Sequence, residues 1–202
     1  MEKIVQFEIS DEEFDKFECF SGVKWKINGE YSILFLADLM AFNELFNISS
    51  DDVLMTLNHY ERGLNYSGTK SPSVFKRMPL KGLYHIHFYS PQYMTNNINI
   101  ELGKNGLQDI ISDVLDNYKD FPADKKAEIM TERAISDSLE FRREKVKMTG
   151  EWVIYAKYKG KNYYLCLARH SDDDYAIRKR IEKHCFDKFP FLKDILVPLE
   201  HS

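Results

Sequence analysis

The chain lacks several things, and each absence narrows the field. No apolar run approaches the roughly 18–20 residues that span a bilayer, so no membrane-spanning helix and no membrane partner are expected. The start, MEKIVQFEISDEEFDKF, has no basic segment followed by an apolar one, so no secretory signal is expected. Cysteine is scarce: Cys19, Cys166 and Cys185 are odd in number, widely spaced and without a CxxC pair. A disulfide framework or a zinc knuckle has no support, and a reducing, cytoplasmic setting is expected. Cys166 lies in the apolar run YYLCLA, where a thiol behaves as a small hydrophobe rather than a nucleophile. Excess charge of one sign is also missing. Lys and Arg total 28 against 32 Asp and Glu, a net of −4, which excludes a bulk polyanion binder but not a local basic patch. Internal repeats and low-complexity tracts are absent. What is present is 202 residues, 44% hydrophobic, enough for one core of ordinary size or a core with a small appendage. That apolar content excludes wholesale disorder.

Periodicity and punctuation then give the organisation. Ser10 and Glu13 form a capping box, and Phe14, Phe17 and Phe20 repeat at helical spacing behind it. In VKWKINGEYSILFL, Asn28-Gly29 predicts a tight turn between two strands, with Lys24 and Lys26 on a wet face opposite Val23, Trp25 and Ile27. A helix is predicted through Phe46, and another from about Val53 to Arg62 behind Ser50-Asp51-Asp52. Residues 63–82 read as a loop or linker. The chain thus divides into a helix-hairpin-helix subdomain at 1–62, the linker, and an α+β domain at 83–202. In the latter, LYHIHFYS (83–90) reads as a strand, with INIEL (98–102) a candidate partner. Leu107, Ile110, Ile111, Val114, Leu115 and Tyr118 mark a helix, and a longer one is predicted from Lys125 to Lys145. EWVIYAKY and NYYLCLARH flank Lys159-Gly160-Lys161 as a hairpin. A last helix is predicted from Ser171, with Asp174 completing a capping box, to about Lys188. The fold class is α+β: a short antiparallel sheet built from hairpins, packed by several helices.

The histidines carry the chemistry. Residues two apart in a strand share a face, so His85 and His87 project side by side. His170 ends the strongest strand just before a helix N-terminus, a place that favours anions. Lys157 and Arg169 lie on the same hairpin, with Arg178 and Arg180 on the helix beyond, so imidazoles and cations could converge on one cleft. Metal-free RNA cleavage needs such a set: one imidazole takes the 2′-hydroxyl proton, another protonates the leaving 5′ oxygen, and a cation steadies the phosphate. The plain alternative is that His85 and His87 pack in a strand, bonded to backbone. His59 and His184 read as helix residues at the core edge or surface, and His201 as terminal.

His-x-His is also a metal pair. His85-x-His87 resembles the opening of the JAMM metalloprotease signature, but Ile98 stands where the metal-binding Asp belongs, and no metal ligand set is completed. It also resembles the histidine-triad nucleotide hydrolases, with Tyr89 in place of the third histidine.

Over about 120 residues, the helix at 107–118, LYHIHFYS and WVIYAKYKGKNYYLCLARH resemble the barnase–EndoU–colicin–RelE class of small RNases. That class packs helices on one face of a short antiparallel sheet and carries its reactive side chains on the other. The resemblance implies His85 or His87 as acid or base, His170 as its partner, and Arg169 or Lys157 as phosphate holder. Tyr155, Tyr163 and Tyr164 would stack a base, with Arg178 contributing to substrate binding. It implies a toxin or conflict-system endoribonuclease acting on RNA without cofactor or metal. Two other classes remain open. One is a non-catalytic interaction module of phage or mobile-element origin, its aromatic residues and Lys24/Lys26 face meeting a protein partner, such as an inhibitor, or a second copy in a homodimer. The other is a metal-dependent hydrolase using His85 and His87.

Overall fold

The computed structural model describes residues 9–64, 71–88, 98, 102–137 and 151–198. They fall into two compact units, one of Met1–Leu64, Ser71–Phe88 and Glu151–Ser202, the other of Asn65–Lys70 and Tyr89–Gly150. Residues 9–64 thus fall in one unit with residues 71–88 and 151–198.

In the first unit, α1 (Asp11–Ser21) starts on the capping box: Glu13 N–H donates to Ser10 Oγ at 3.3 Å, and Ser10 N–H donates to Glu13 at 2.8 Å. Gly22, at φ 66°, ends it in the left-handed conformation and leads into a single turn, α2 (Val23–Lys26). The predicted hairpin at Asn28-Gly29 is not formed. Val23 is buried and Trp25 exposed on a helical turn, an apolar pattern too short to separate from strand alternation. After Gly29 the chain makes only β1 (Glu30–Tyr31) before Ser32 caps α3 (Ile33–Phe46), its Oγ accepting from Phe35 N–H at 2.9 Å. The run ILFLADLMAF is apolar almost all round, which suits a helix buried on several sides. α4 (Ser50–Glu61) follows, capped by Ser49.

The sheet holds β1, β2 (Ser73–Val74), β3 (Tyr84–Phe88), β4 (Glu151–Tyr158) and β5 (Lys161–Ala168) in the order β1-β5-β4-β3-β2. β4 and β5 are the predicted hairpin, with Lys159 and Gly160 at positive φ in its turn. β3 is antiparallel to both β2 and β4, whereas β1 runs parallel to β5. The α+β class stands, but the sheet is mixed and is not assembled from successive hairpins. β2 arises inside the segment read as a linker.

Two helical layers cover the sheet. On one face, Ile154, Cys166 and Ala168 pack against Ile177, Ile181 and Cys185 of α7 (Asp174–Cys185) and against Leu192 of the short α8 (Leu192–Ile195). On the other, Phe35 meets Tyr164, Phe42 meets Phe88 and Tyr60 meets Tyr155. α3 also runs along the outer edge of β5. Ser32 N–H donates to Tyr164 O at 2.9 Å, Ser32 Oγ donates to Leu165 O at 2.6 Å, and Leu167 N–H donates to Asp38 at 2.9 Å. α7 is capped by Asp173, two residues later than predicted, and ends at Cys185.

In the second unit, α5 (Gly106–Asn117) and α6 (Ala123–Glu132) are tied together through Arg133, which bonds Asp113 and Tyr118. α6 passes into one π-helical turn at Arg133–Asp137, and the remainder of the helix predicted to Lys145 lies outside the described residues. Of the suggested strand at 98–102, residues 99–101 lie outside the described residues, and Ile98 and Leu102 are helical. Among the described residues, no helix is long and apolar enough to cross a membrane.

Candidate functional site

Strand parity assembles the site. His87 is cross-strand to Trp152, and Trp152 to Ala168, so these side chains share a face. His85 shares it too, opposite Ser73 on one side and Ile154 on the other. Two residues past Ala168 comes His170. Its position is fixed by a tight turn in which Arg169 N–H donates to Asp172 at 2.8 Å and Asp172 N–H donates to Arg169 O at 3.1 Å. Glu151 reinforces it by accepting from His170 N–H at 2.6 Å.

Three imidazoles from distant parts of the sequence thus meet at one end of the sheet. The His87 and His170 rings stack with centroids 5.2 Å apart at 22°, and His85 lies 5.4 Å from His87, edge-on. Exposure is graded: His87 is 5% exposed, His85 half-buried and His170 open to solvent. His85 Nε2 is 3.0 Å from Ser73 Oγ, and its ring packs on Phe75 at 4.6 Å. Trp152 touches all of them, 4.4 Å from His170 and 5.3 Å from His85. Its indole Nε1 is buried and finds no hydrogen-bond partner among the described residues. Ser73 and Trp152 were not singled out from sequence. Trp152 was reachable, since it stands two residues before Ile154 in the same strand; Ser73 was not, because its strand is two residues long.

The cations predicted beside the histidines are engaged elsewhere. Arg169 bonds Asp172 through Nε at 3.0 Å and lies over the Phe46 ring at 5.1 Å. Lys157, an odd number of residues from Ile154 on the same strand, projects to the opposite face, 4.8 Å from the Tyr84 ring and 5.8 Å from Tyr60. Tyr155 and Tyr164 also face that way, fully buried. Tyr155 shares a hydrogen bond with Tyr60 at 2.7 Å, and Tyr164 donates to Glu61 at 2.8 Å. Burial first, and then these partners, push both phenols well above their ordinary range, so neither presents a ring for base stacking. Tyr163 packs on Phe189 and Phe191. Arg178 is 1% exposed and ties three segments together: it donates to Pro79 O at 2.9 Å, Val197 O at 3.0 Å and Glu182 at 2.7 Å. It is a structural staple rather than a substrate contact. Arg180 pairs with Asp38, whose carboxyl burial pushes up to about 6 against the pull of the guanidinium.

Burial pushes the Cys166 thiol well above its ordinary value, which removes it as a nucleophile. His59 bonds Met55 O at 2.7 Å on its own helix, and burial lowers the pKa of His184. His201 lies outside the described residues. Among the described residues no group of three His, Cys, Asp or Glu could hold a metal ion. No protein family, curated protein or solved structure matches the chain.

Proposed function

We propose that the protein is a metal-independent endoribonuclease in which His87 and His170 exchange protons with the substrate. The observation that carries this reading is the imidazole pair 5.2 Å apart, one ring solvent-exposed and the other nearly sealed. Imidazole is the side chain suited to both proton transfers near neutral pH. One ring takes the proton of the 2′-hydroxyl as its oxygen attacks phosphorus. The other gives a proton to the departing 5′ oxygen, leaving a 2′,3′-cyclic phosphate and a 5′-hydroxyl. With Arg169 and Lys157 engaged elsewhere, the phosphate-holding role passes to His85, positioned by Ser73 at 3.0 Å. Trp152 Nε1–H is a further donor within the cluster.

The test is cleavage of end-labelled RNA in EDTA, with products analysed for cyclic phosphate termini. His170→Ala and His87→Ala are expected to lose about 10²–10⁴-fold in rate at unchanged far-ultraviolet circular dichroism. Absence of cleavage across structured and single-stranded RNAs, or equal cleavage by the folded variants, overturns the reading.

A further inference from the structure

The net charge of −4 conceals one end of the sheet that is strongly positive. β3 is antiparallel to both β2 and β4, so the turn from β2 into β3 and the tip of the β4–β5 hairpin lie at the same end, away from His170. The turn carries Lys76, Arg77 and Lys81, the tip Lys157, Lys159 and Lys161, and all six residues are exposed. Neither residues 71–88 nor residues 152–168 contain an Asp or Glu. None of the six cations is in an ion pair among the described residues. Glu30 on β1, opposite Tyr163, offsets one of them. α8 and the end of α7 adjoin this end, Phe191 stacking on Tyr158 at 4.2 Å, and add Lys188 and Lys193 against Asp187 and Asp194, which leaves the balance unchanged.

The positive end is continuous with the histidines. Phe75 packs on the His85 ring at 4.6 Å and on Trp152 at 5.6 Å, and Lys76 and Arg77 come next in the chain. Lys157 Nζ then lies over the Tyr84 ring at 4.8 Å, and Lys159 Nζ over the Tyr158 ring at 5.2 Å. Half-buried rings thus alternate with cations from the cluster to the hairpin tip, over roughly 20 Å of strand. We propose that this end binds a single-stranded nucleic acid, its phosphates on the six cations and its bases against the rings between them. Cations alone suit any polyanion; rings set among them favour a partner that carries flat faces between its charges. A duplex keeps its bases stacked on one another and cannot use the rings. The proposal rests on the nuclease reading only in calling that strand the substrate; binding is expected whether or not the strand is cut.

A fluorescein-labelled oligodeoxythymidylate of about 15 nucleotides separates the two questions, because it lacks the 2′-hydroxyl and is not cleaved. Fluorescence anisotropy of the full chain is expected to show binding whose log affinity falls against log salt with a slope of about −3 to −4, from about 0.7 per phosphate contacted. Lys159→Gln/Lys161→Gln and, separately, Lys76→Gln/Arg77→Gln are each expected to flatten that slope by about 1.4 at unchanged circular dichroism, since all four residues are exposed. Inorganic polyphosphate, which has charge but no rings, is expected to compete more weakly than unlabelled oligonucleotide by about tenfold or more. Absence of binding up to about 100 μM protein, an unchanged slope in either folded variant, or equal competition by polyphosphate or by phosphatidylserine vesicles overturns the proposal. RNA cleavage by a protein that fails this test leaves the nuclease reading standing alone, and binding without cleavage leaves this one.

Discussion

Gly29 offers a sharp test of the packing argument. Its backbone lies outside the left-handed region, so an alanine there carries no φ strain. On conformational entropy alone, Gly29→Ala would then stabilise the fold by about 0.4–1 kcal/mol. The surroundings oppose this. A Cβ would stand 2.6 Å from Tyr164 Cε2, 2.9 Å from the Asn162 carbonyl oxygen and 3.0 Å from Glu61 Oε1. The tyrosine is fully buried, and the carbonyl belongs to β5, so neither yields without moving the sheet. Overpacking of this kind costs about 1–3 kcal/mol. The shift also loosens the Glu61 clamp, which accepts from Asn28 N–H at 2.6 Å and Gly29 N–H at 2.8 Å; hydrogen bonds to a charged group contribute about 1.5–3 kcal/mol each. The net expectation is a loss of about 2–4 kcal/mol, read as a fall in Tm of about 5–15 °C by circular dichroism. Gly160→Ala is the control. Gly160 sits at φ 78° with nothing within 4 Å of the added carbon, so only backbone strain acts, at about 1 kcal/mol. A Gly29→Ala protein as stable as wild type, or less affected than Gly160→Ala, refutes the reasoning.

Other expectations concern charge and the site. Asp38, with its folded pKa at about 6 against 3.8, binds a proton more tightly folded than unfolded. Its contribution is therefore full below about pH 4 and is lost as pH rises through 6, by about 2–3 kcal/mol. Urea midpoints between pH 4 and 7 are expected to show this fall in wild type and a flatter profile in Asp38→Asn; identical slopes reject it. Ser73→Ala removes the hydroxyl 3.0 Å from His85, and is expected to lower cleavage about tenfold and move the pH–rate profile while leaving Tm within about 1 °C. An unmoved profile at unchanged rate excludes Ser73 as the group that positions His85. Arg178→Met removes bonds to Glu182 on its own helix and to the carbonyls of Pro79 and Val197, and leaves the buried Pro79 carbonyl without a donor; chemical denaturation is expected to register a loss of about 2–4 kcal/mol, and a loss below about 1 would show that water satisfies that carbonyl.

Local signals were legible where the chain satisfies its own needs within a few residues. The Ser10–Glu13 box, the β4–β5 hairpin and the projection of His85 and His87 to one face all depend on neighbours in sequence. Asn28-Gly29 misled because its glycine answers a distant demand, the close approach of Tyr164 and Glu61, rather than a turn. Lys157 misled because sharing a hairpin is not sharing a face: it stands an odd number of residues from Trp152, and alternation alone sends it away from the histidines. Arg178 looked like a cation in reserve because, Glu182 at i+4 aside, nothing local shows that Pro79 and Val197 converge on it. The meeting of His170 with His87 depends on a strand order that crosses the whole chain, which periodicity does not encode.

The way α3 runs beside β5 bears on solubility. β1 covers only Tyr163 and Tyr164, so beyond them β5 would present bare N–H and C=O groups, a template on which a foreign strand could add. Ser32 and Asp38 occupy those positions with side chains, as a selvedge stops cloth from unravelling. Losing Asp38 should therefore show itself in the test tube first as clumping and turbidity in the native state, at temperatures where the fold itself still holds.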